Sequence, residues 1–357
     1  MKPPEVVVAE GSVERGHGRA DIREVARLAG VSISTVSRYL NHKVVSPAAD
    51  GRIEAAIREL GYLPNRIARS LKMKRTMTLG MVIPDITNPY FPEVVNGVDS
   101  AARAAGFTLV LANAGEDPKI EWEHLQTFRG MRCDGVVVIP APACEDEEER
   151  IRRFGSYPLP LVFVDRAVTV PRDRVVSDNQ RAAAEAVHHL IKLGHTRIAL
   201  LDTNVDVSSH RERADGYHQV MREAGLELDP ALVIRVQPSV QEGFAATTKL
   251  LEVDPRPTAI FVPSNRSTIG ALQALAAKGF DCPGDIALVS YDDYEWQDSF
   301  RPRLTTVAQP AFTLGERGAE ILIARITGNG AAPFENVVLP SRLIVRESSG
   351  TTRLAPH

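Results

Sequence analysis

Cysteine is scarce in this chain, with three among 357 residues. Cys133, Cys144 and Cys282 are odd in number and lack the paired spacing of a metal site, which argues against a disulfide framework and fits a reducing, cytoplasmic setting. No stretch approaches the roughly 20 consecutive apolar residues that a membrane helix needs. Residues 1–19 hold one short apolar run, Val6-Val7-Val8-Ala9, so they do not read as a signal peptide. Their Pro, Gly and charged residues predict a disordered tail. Signatures of catalysis are missing as well. There is no Walker-type phosphate loop, no GxGxxG after an apolar run, no HExxH and no GxSxG. The chain is therefore not expected to be an enzyme, and no cofactor or metal is expected. His188-His189 fall within an expected helix and His195 follows an expected helix stop, positions that suit structural roles. The acidic run Glu145–Glu149 is expected to open a helix, where negative charge suits the dipole.

What is present is an ordinary globular composition with an uneven charge. Hydrophobic residues make up 44% and charged residues 24%, as in soluble proteins, and the length predicts two or three domains. The net charge of −3 hides an asymmetry. Residues 1–77 carry 14 Lys+Arg against 8 Asp+Glu, net +6, while the remainder carries 28 against 37, net −9. A basic amino-terminal part joined to an acidic body suits docking on DNA through one end.

The stretch Asp21–Leu71 holds three amphipathic segments. Ile22, Val25, Ala26 and Ala29 recur on one helical face, with Asp21 and Glu24 as a capping box and Gly30 as a stop. Ser32 caps a second helix whose Val36, Tyr39 and Leu40 share one side; Ser34, Ser37 and Arg38 share the other, and Ile33 lies at the leading edge. Ser46-Pro47 starts a third helix with a core face of Ile53, Ala56, Ile57 and Leu60, ended by Gly61. Three short helices with a Gly turn have the size of a DNA-binding module, and small residues leading an arginine-bearing face suit a recognition helix. The same pattern also fits a small helical bundle with a solvated face. Pro64–Arg75 follows, with Arg66, Arg69, Lys72, Lys74 and Arg75 and no acid. It reads as a flexible linker or as a segment that orders on DNA.

The residues themselves narrow this. DIREVARLAGVSISTVSRYLN followed by ELGYLPNRIARSL closely resembles the lactose-repressor (LacI/GalR) family of bacterial transcription factors. The blocks VARLAGVS, TVSRYLN and YLPNRIARSL stand in the right order and spacing, and the resemblance continues to about Glu347. It implies that Ile33, Ser34 and Arg38 read bases, with Ser37 and Asn41 also on DNA. It implies further that Asn65–Leu71 is a hinge helix entering the minor groove through Asn65, Arg66, Ala68 and Arg69, with Leu71 as the wedge between base pairs. One departure lies in the third helix. A Thr-Arg pair is usual in the family, and here Ala49-Asp50 is followed by Gly51, which puts one phosphate contact in doubt. That Gly costs roughly 1 kcal/mol of helix stability relative to Ala.

From Thr78 the pattern alternates. LGMVIP (79–84), FTLVLA (107–112), GVVVIP (135–140), LVFVD (161–165), RIALL (197–201), AIFV (259–262) and DIALVSY (285–291) are apolar runs. Helical segments are expected at Glu93–Ala105, Ile120–Met131, Arg181–Leu193, Glu212–Ala224, Gly243–Leu251 and Thr268–Lys278. Such alternation predicts parallel sheets covered on both faces, and the length allows two lobes. The expected fold class is an amino-terminal all-α helix-turn-helix domain plus an α/β body. By resemblance, the body is a two-lobed type I periplasmic-binding-protein-like fold with crossovers near Val176, Thr306 and Pro340. The expected domains are a tail (1–19), helix-turn-helix (20–63), hinge (64–77) and body (78–357). Lobe 1 is expected at about 78–176 and 307–339, and lobe 2 at about 177–306 and 340–353.

Ligands of open α/β sheets bind beyond the carboxyl ends of the strands. There stand Asp85, Asn88, Tyr90 and Phe91; Asp165-Arg166; Arg211-Glu212-Arg213; Ser264-Asn265-Arg266; and Asp292-Asp293. Aromatic rings with paired charges and amides suit a sugar-like ligand, although each residue also has an ordinary reading as turn, cap, ion pair or core. The resemblance favours Asp165, Arg166, Arg213 and Asp292 as effector contacts, followed by Asn88, Tyr90, Phe91 and Gln309. The family's usual Asn-Asp is here Ser264-Asn265, so Ser264 brings a hydroxyl where a two-headed amide is usual. The resulting expectation is a cytoplasmic, ligand-responsive repressor that binds palindromic double-stranded DNA as a homodimer, with a sugar or sugar acid as effector and no membrane partner. The rivals are a solute-binding protein of the same body fold and an α/β enzyme using the cleft.

Overall fold

The computed structural model describes residues 20–40, 43–62, 75–142, 147–299, 301–328 and 332–350. The chain divides into two compact units between Thr76 and Met77. The tail over 1–19, Asn41, and the hinge residues Asn65, Arg66, Ala68, Arg69 and Leu71 lie outside the described residues.

The first unit has three helices: α1 (Ile22–Ala29), α2 (Ile33–Leu40) and α3 (Pro47–Leu60). Their ends follow from local chemistry. The Glu24 carboxylate accepts from the Asp21 backbone N–H at 2.9 Å, and Ser32 Oγ accepts from the Thr35 N–H at 3.1 Å. Gly30 and Gly61 take the left-handed conformation after α1 and α3. Val25, Val36 and Ile53 are fully buried and meet in one core.

The second unit contains two six-stranded sheets. The first is built from β1 (Thr78–Ile83), β2 (Thr108–Asn113), β3 (Gly135–Val138), β4 (Leu161–Val164), β5 (Asp173–Ser177) and β11 (Asn336–Leu339), in the order β11-β5-β4-β3-β1-β2. The second is built from β6 (Ile198–Thr203), β7 (Val233–Val236), β8 (Ala259–Val262), β9 (Ala287–Tyr291), β10 (Thr305–Ala308) and β12 (Arg342–Ile344), in the order β12-β10-β9-β8-β6-β7. Side chains alternate between the faces of each sheet. Leu79, Met81 and Ile83 of β1 enter one core and Val82 the opposite one; Ile198 and Leu200 of β6 likewise part from Ala199 and Leu201. Apolar burial on both faces is why these strands read as continuous apolar runs.

The helices are α4 (Tyr90–Ala104), α5 (Pro118–Gly130), α6 (Glu147–Gly155), α7 (Asn179–Lys192), α8 (Ser208–Glu223), α9 (Val240–Leu251), α10 (Asn265–Ala277) and α11 (Ala311–Thr327). α4 packs on α11 at glycine contacts. A Cβ at Gly97 would lie 2.0 Å from the Phe312 carbonyl oxygen, and one at Gly315 would lie 2.0 Å from that of Val94. In the other lobe α9 and α10 meet in the same way, a Cβ at Gly270 falling 2.1 Å from the Val240 oxygen.

The chain passes between the sheets after β5, after β10 and after β11. Val307 and Ala308 stay in the second sheet with β10, so the second passage falls at Gln309-Pro310. The expectation of parallel sheets needs one amendment. β12 pairs antiparallel with β10, because the chain arrives from the other lobe directly after β11 and runs back along the edge. Mixed sheets often carry an antiparallel edge strand of this kind. Several helices also begin earlier than the apolar periodicity indicates: α4 at Tyr90, α8 at Ser208 and α10 at Asn265. Their first turns, aromatic in α4 and polar in α8 and α10, contribute residues to the space between the sheets.

Candidate functional site

In the first unit the outer face of α2 is open. Ile33 is 47% exposed, Ser34 and Arg38 are exposed, and Ser37 is half-buried. Ser32 Oγ lies 2.7 Å from Ser34 Oγ and 2.8 Å from Thr35 Oγ1. Arg38 Nη2 donates to the Val44 carbonyl at 3.0 Å, which holds the guanidinium at the surface beside the α2–α3 connection. The Ala49-Asp50-Gly51 departure has a local account. Ala49 is buried in the three-helix core. Asp50 sits in the first turn of α3, where its charge suits the helix dipole, and Gly51 faces open space.

In the second unit the carboxyl ends of both sheets converge on a cavity of about 100 Å³. From the first sheet come Asp85, Asn88, Tyr90, Phe91, Glu116, Asp165 and Arg166. From the second come Ser209, His210, Arg213, Ser264, Asn265, Arg266, Asp292 and Gln309. All nine effector-contact residues expected from the sequence are in this group.

Asp165 and Asp292 occupy matching places in the two lobes. Each follows the third strand of its sheet. Each turns with positive φ, 69° and 67°, and each donates its N–H to the neighbouring strand, to Val175 and to Val307, at 2.9 Å. Glu116, with φ 61°, adds a third. Of the five non-glycine residues with positive φ among those described, three are cleft carboxylates. Such conformations cost on the order of 1–3 kcal/mol each and gather where a side chain must be aimed.

Partners differ between the two sides. Tyr90 donates its hydroxyl to Asp165 Oδ1 at 2.7 Å, and Arg166 Nε lies 3.8 Å from Asp165 Oδ2. Asp292 accepts from Gln309 Nε2 at 2.7 Å and from Asn265 Nδ2 at 2.9 Å. Asn265 Nδ2 also reaches Asn88 Oδ1 at 2.9 Å and the Tyr294 hydroxyl at 2.7 Å. Burial pushes both aspartates above the usual carboxylate range. Arg166 and the Tyr90 hydrogen bond oppose this at Asp165, and Arg213 and Gln309 oppose it at Asp292. Arg166 runs beneath Phe91, 5.5 Å from the ring centroid, and chelates Glu116 at 2.7 and 2.8 Å. Burial lowers the Arg166 pKa, but the Glu116 hydrogen bonds and charge outweigh it and raise the value. Arg213 donates to Asn179 at 2.9 Å and to the Pro263 carbonyl at 3.0 Å, and lies over the Tyr291 ring at 4.0 Å.

Glu116, Ser209 and His210 escaped the sequence reading. Glu116 stands three residues beyond β2, a signal the strand-end rule supplies. His210 lies on the first turn of α8, which polar residues disguise as loop. Its Nδ1 is 2.6 Å from Thr203 Oγ1, and burial, with Arg213 and Arg166 nearby, holds its pKa well below the ordinary value. A larger cavity of about 470 Å³ adjoins α10, lined by Ile269, Leu272, Phe280 and Trp296 among others. Neither Asp165, Asp292 nor Glu116 opens into it, so the convergent polar groups single out the smaller one.

Two family models match the chain: bacterial regulatory proteins, lacI family, over residues 21–65, and periplasmic binding proteins and sugar binding domain of LacI family, over residues 76–347. The chain belongs to the LacI family. Among this family's members, the ribose operon repressor of Escherichia coli is 37% identical over 310 residues, covering 86% of this chain and 93% of that protein. The HTH-type transcriptional repressor PurR of Vibrio atlanticus is 33% identical over 309 residues, covering 86% and 92%. The lac repressor dimer bound to operator and the anti-inducer ONPF superposes with a TM-score of 0.82 at 26% identity, covering 94% of this chain and all of that one. The complex of the transcriptional regulator CelR with cellobiose gives 0.69 at 34% identity, covering 92% and 100%. Among the described residues of this LacI-family chain, no helix is long and apolar enough to cross a membrane.

Proposed function

We propose that this chain is a cytoplasmic transcriptional repressor that binds a palindromic operator as a homodimer and releases it when a sugar-like effector fills the cleft. The observation that carries the reading is the pair of opposed aspartates, Asp165 and Asp292. They are aimed by the same strained turn from two sheets into one cavity, in a chain that also bears an open helix-turn-helix face. One module reads one half-site, so paired modules match a palindrome. Ile33, Ser34 and Arg38 read base edges, with Ser37 beside them; Asn41 and the hinge residues Asn65, Arg66, Ala68, Arg69 and Leu71 complete the DNA contact. Asn88, Tyr90, Phe91, Asp165, Arg166, Arg213, Ser264, Asp292 and Gln309 hold the effector, which is bound and not converted.

A ligand that touches both lobes favours one lobe arrangement, and it acts on DNA only through its difference in affinity for the two arrangements. The coupling is reciprocal: an effector that weakens operator binding is itself weakened by operator. The test is operator binding at fixed salt with and without sugar, on DNA selected by the protein from a random pool. Release on sugar addition, and recovery of the sugar unchanged, is expected. Tighter binding with sugar would reverse the sign, and a converted sugar would make the protein an enzyme. In the same assay Arg38→Ala should cost about 1–3 kcal/mol on the selected site and less on random DNA. Equal loss on both would reduce Arg38 to a phosphate contact.

A further inference from the structure

We infer that the effector is a neutral polyol of monosaccharide size, and that the cleft rejects anionic sugars such as aldonic acids and sugar phosphates. The inference rests on the cleft being the effector site.

The charged groups lining the cavity carry the argument. Arg166 gives both terminal nitrogens to Glu116, and its Nη1 also reaches the Pro140 carbonyl at 2.9 Å. Arg266 is paired with Asp85 at 2.8 Å. Arg213 is fixed by Asn179 and Pro263 and stands in the field of both Asp165 and Asp292. His210 is bonded to Thr203 and contributes no positive charge. Against these three arginines stand four carboxylates: Asp85, Glu116, Asp165 and Asp292. An entering anion would add a fifth negative charge where Arg166 and Arg266 are already ion-paired and Arg213 already faces the field of Asp165 and Asp292, and like charges brought together cost several kcal/mol.

Hydrogen-bond polarity points the same way. An ionised carboxylate only accepts, so Asp165 and Asp292 call for donors. Sugar hydroxyls donate; carboxylate and phosphate oxygens do not. Size follows from the lobes themselves. Arg266 to Asp85 and Asn265 to Asn88 tie the second lobe to the first at the rim, and Ser208 Oγ accepts from the Ala167 N–H at 2.7 Å. The space between these ties, about 100 Å³, is small beside the roughly 300–1,000 Å³ of ordinary small-molecule sites. A space of this size favours one hydroxylated ring over two.

The test is calorimetric titration of the full chain with D-ribose, L-arabinose, D-glucose and D-galactose, with the aldonate and terminal phosphate of each, and with cellobiose. At least one neutral monosaccharide should bind. Its anionic derivatives should bind at least about 100-fold more weakly, and cellobiose should give no heat. An anion that matches its neutral parent, a preference for cellobiose, or silence across the panel would each overturn the inference. Glu116→Gln supplies an independent check. It removes the carboxylate that chelates Arg166, so the aldonate should gain on its parent by about tenfold; an unchanged ratio would also overturn the inference. Binding to the selected DNA is read in the same samples. A failed panel with DNA binding intact leaves the regulator reading standing, whereas loss of DNA binding counts against that reading instead.

Discussion

The two sheet ends that face the cleft share a backbone and differ in chemistry. Asp165 and Asp292 follow corresponding strands, take the same left-handed turn and bond to the same neighbouring position. Around Asp165 the second layer is a phenol and a guanidinium, with Glu116 behind it. Around Asp292 it is two neutral amides. Duplication of a turn thus fixes where two acceptors point, while the partners decide how strongly each is held ionised. The first lobe supplies a charge network and the second an adjustable amide network.

The largest effect expected from breaking this comparison is at the aspartates. Each loses bonds to a charged group worth about 1.5–3 kcal/mol apiece, so Asp292→Ala and Asp165→Ala should each weaken the effector by about 100-fold or more. Operator affinity without effector should remain near that of the parent. If Asp292→Ala still releases operator at the parent's effector concentration, the cleft is not the effector site.

Next come the glycine contacts, which compare the lobes as packed bodies. Gly315→Ala in α11 and Gly270→Ala in α10 each place a methyl about 2 Å from a carbonyl oxygen of the facing helix. Backbone cannot give way as a side chain can, so each should cost about 1–3 kcal/mol in urea unfolding. A loss below about 0.5 kcal/mol at either would show that its helix pair has slack.

A smaller difference should separate Tyr90→Phe from Gln309→Met. Each removes one donor from one aspartate, worth about 0.5–1.5 kcal/mol of effector affinity. Tyr90→Phe leaves Asp165 with Arg166, and Gln309→Met leaves Asp292 with Asn265. Two equal losses would mean that the charged and neutral networks are equivalent. The smallest effect expected is with pH. Both aspartates have raised pKa values, so the unliganded fold is favoured by protonation and loses stability as pH rises through those values. Ligand hydroxyls donate to the ionised form, so effector affinity should rise over the same window. A thermal shift on effector addition that shrinks as pH rises above the ordinary aspartate range would contradict this sign.

Much of this was legible in the sequence, for physical reasons that also mark where legibility ended. β1, β3, β8 and β9 are buried on both faces and so appear as nearly continuous apolar runs. β5, with the sequence DRVVS, and the edge strands β11 and β12 are only half covered, and no apolar run announces them. Asp165 and Asp292 stand at the ends of clear strands, which makes them candidates, and the family resemblance singles them out. His210 and Ser209 were not found, because a polar first turn of helix looks like loop until the strand before it is placed. Which carboxylate holds which arginine, as Glu116 holds Arg166 across 50 positions, is a property of the assembled sheet.

The amide of Asn265 has one more acceptor within reach than it has protons. Its nitrogen carries two hydrogens, and Asn88, Asp292 and Tyr294 each present an oxygen to it. At any instant one of the three goes without. When a ligand hydroxyl supplies Asp292, the amide is released to serve the other two, one on the opposite lobe and one stacked on the exposed Trp296 ring. On the proposed reading, cleft occupancy is converted into the allotment of a single proton, which strengthens the Asn265–Asn88 contact between the lobes.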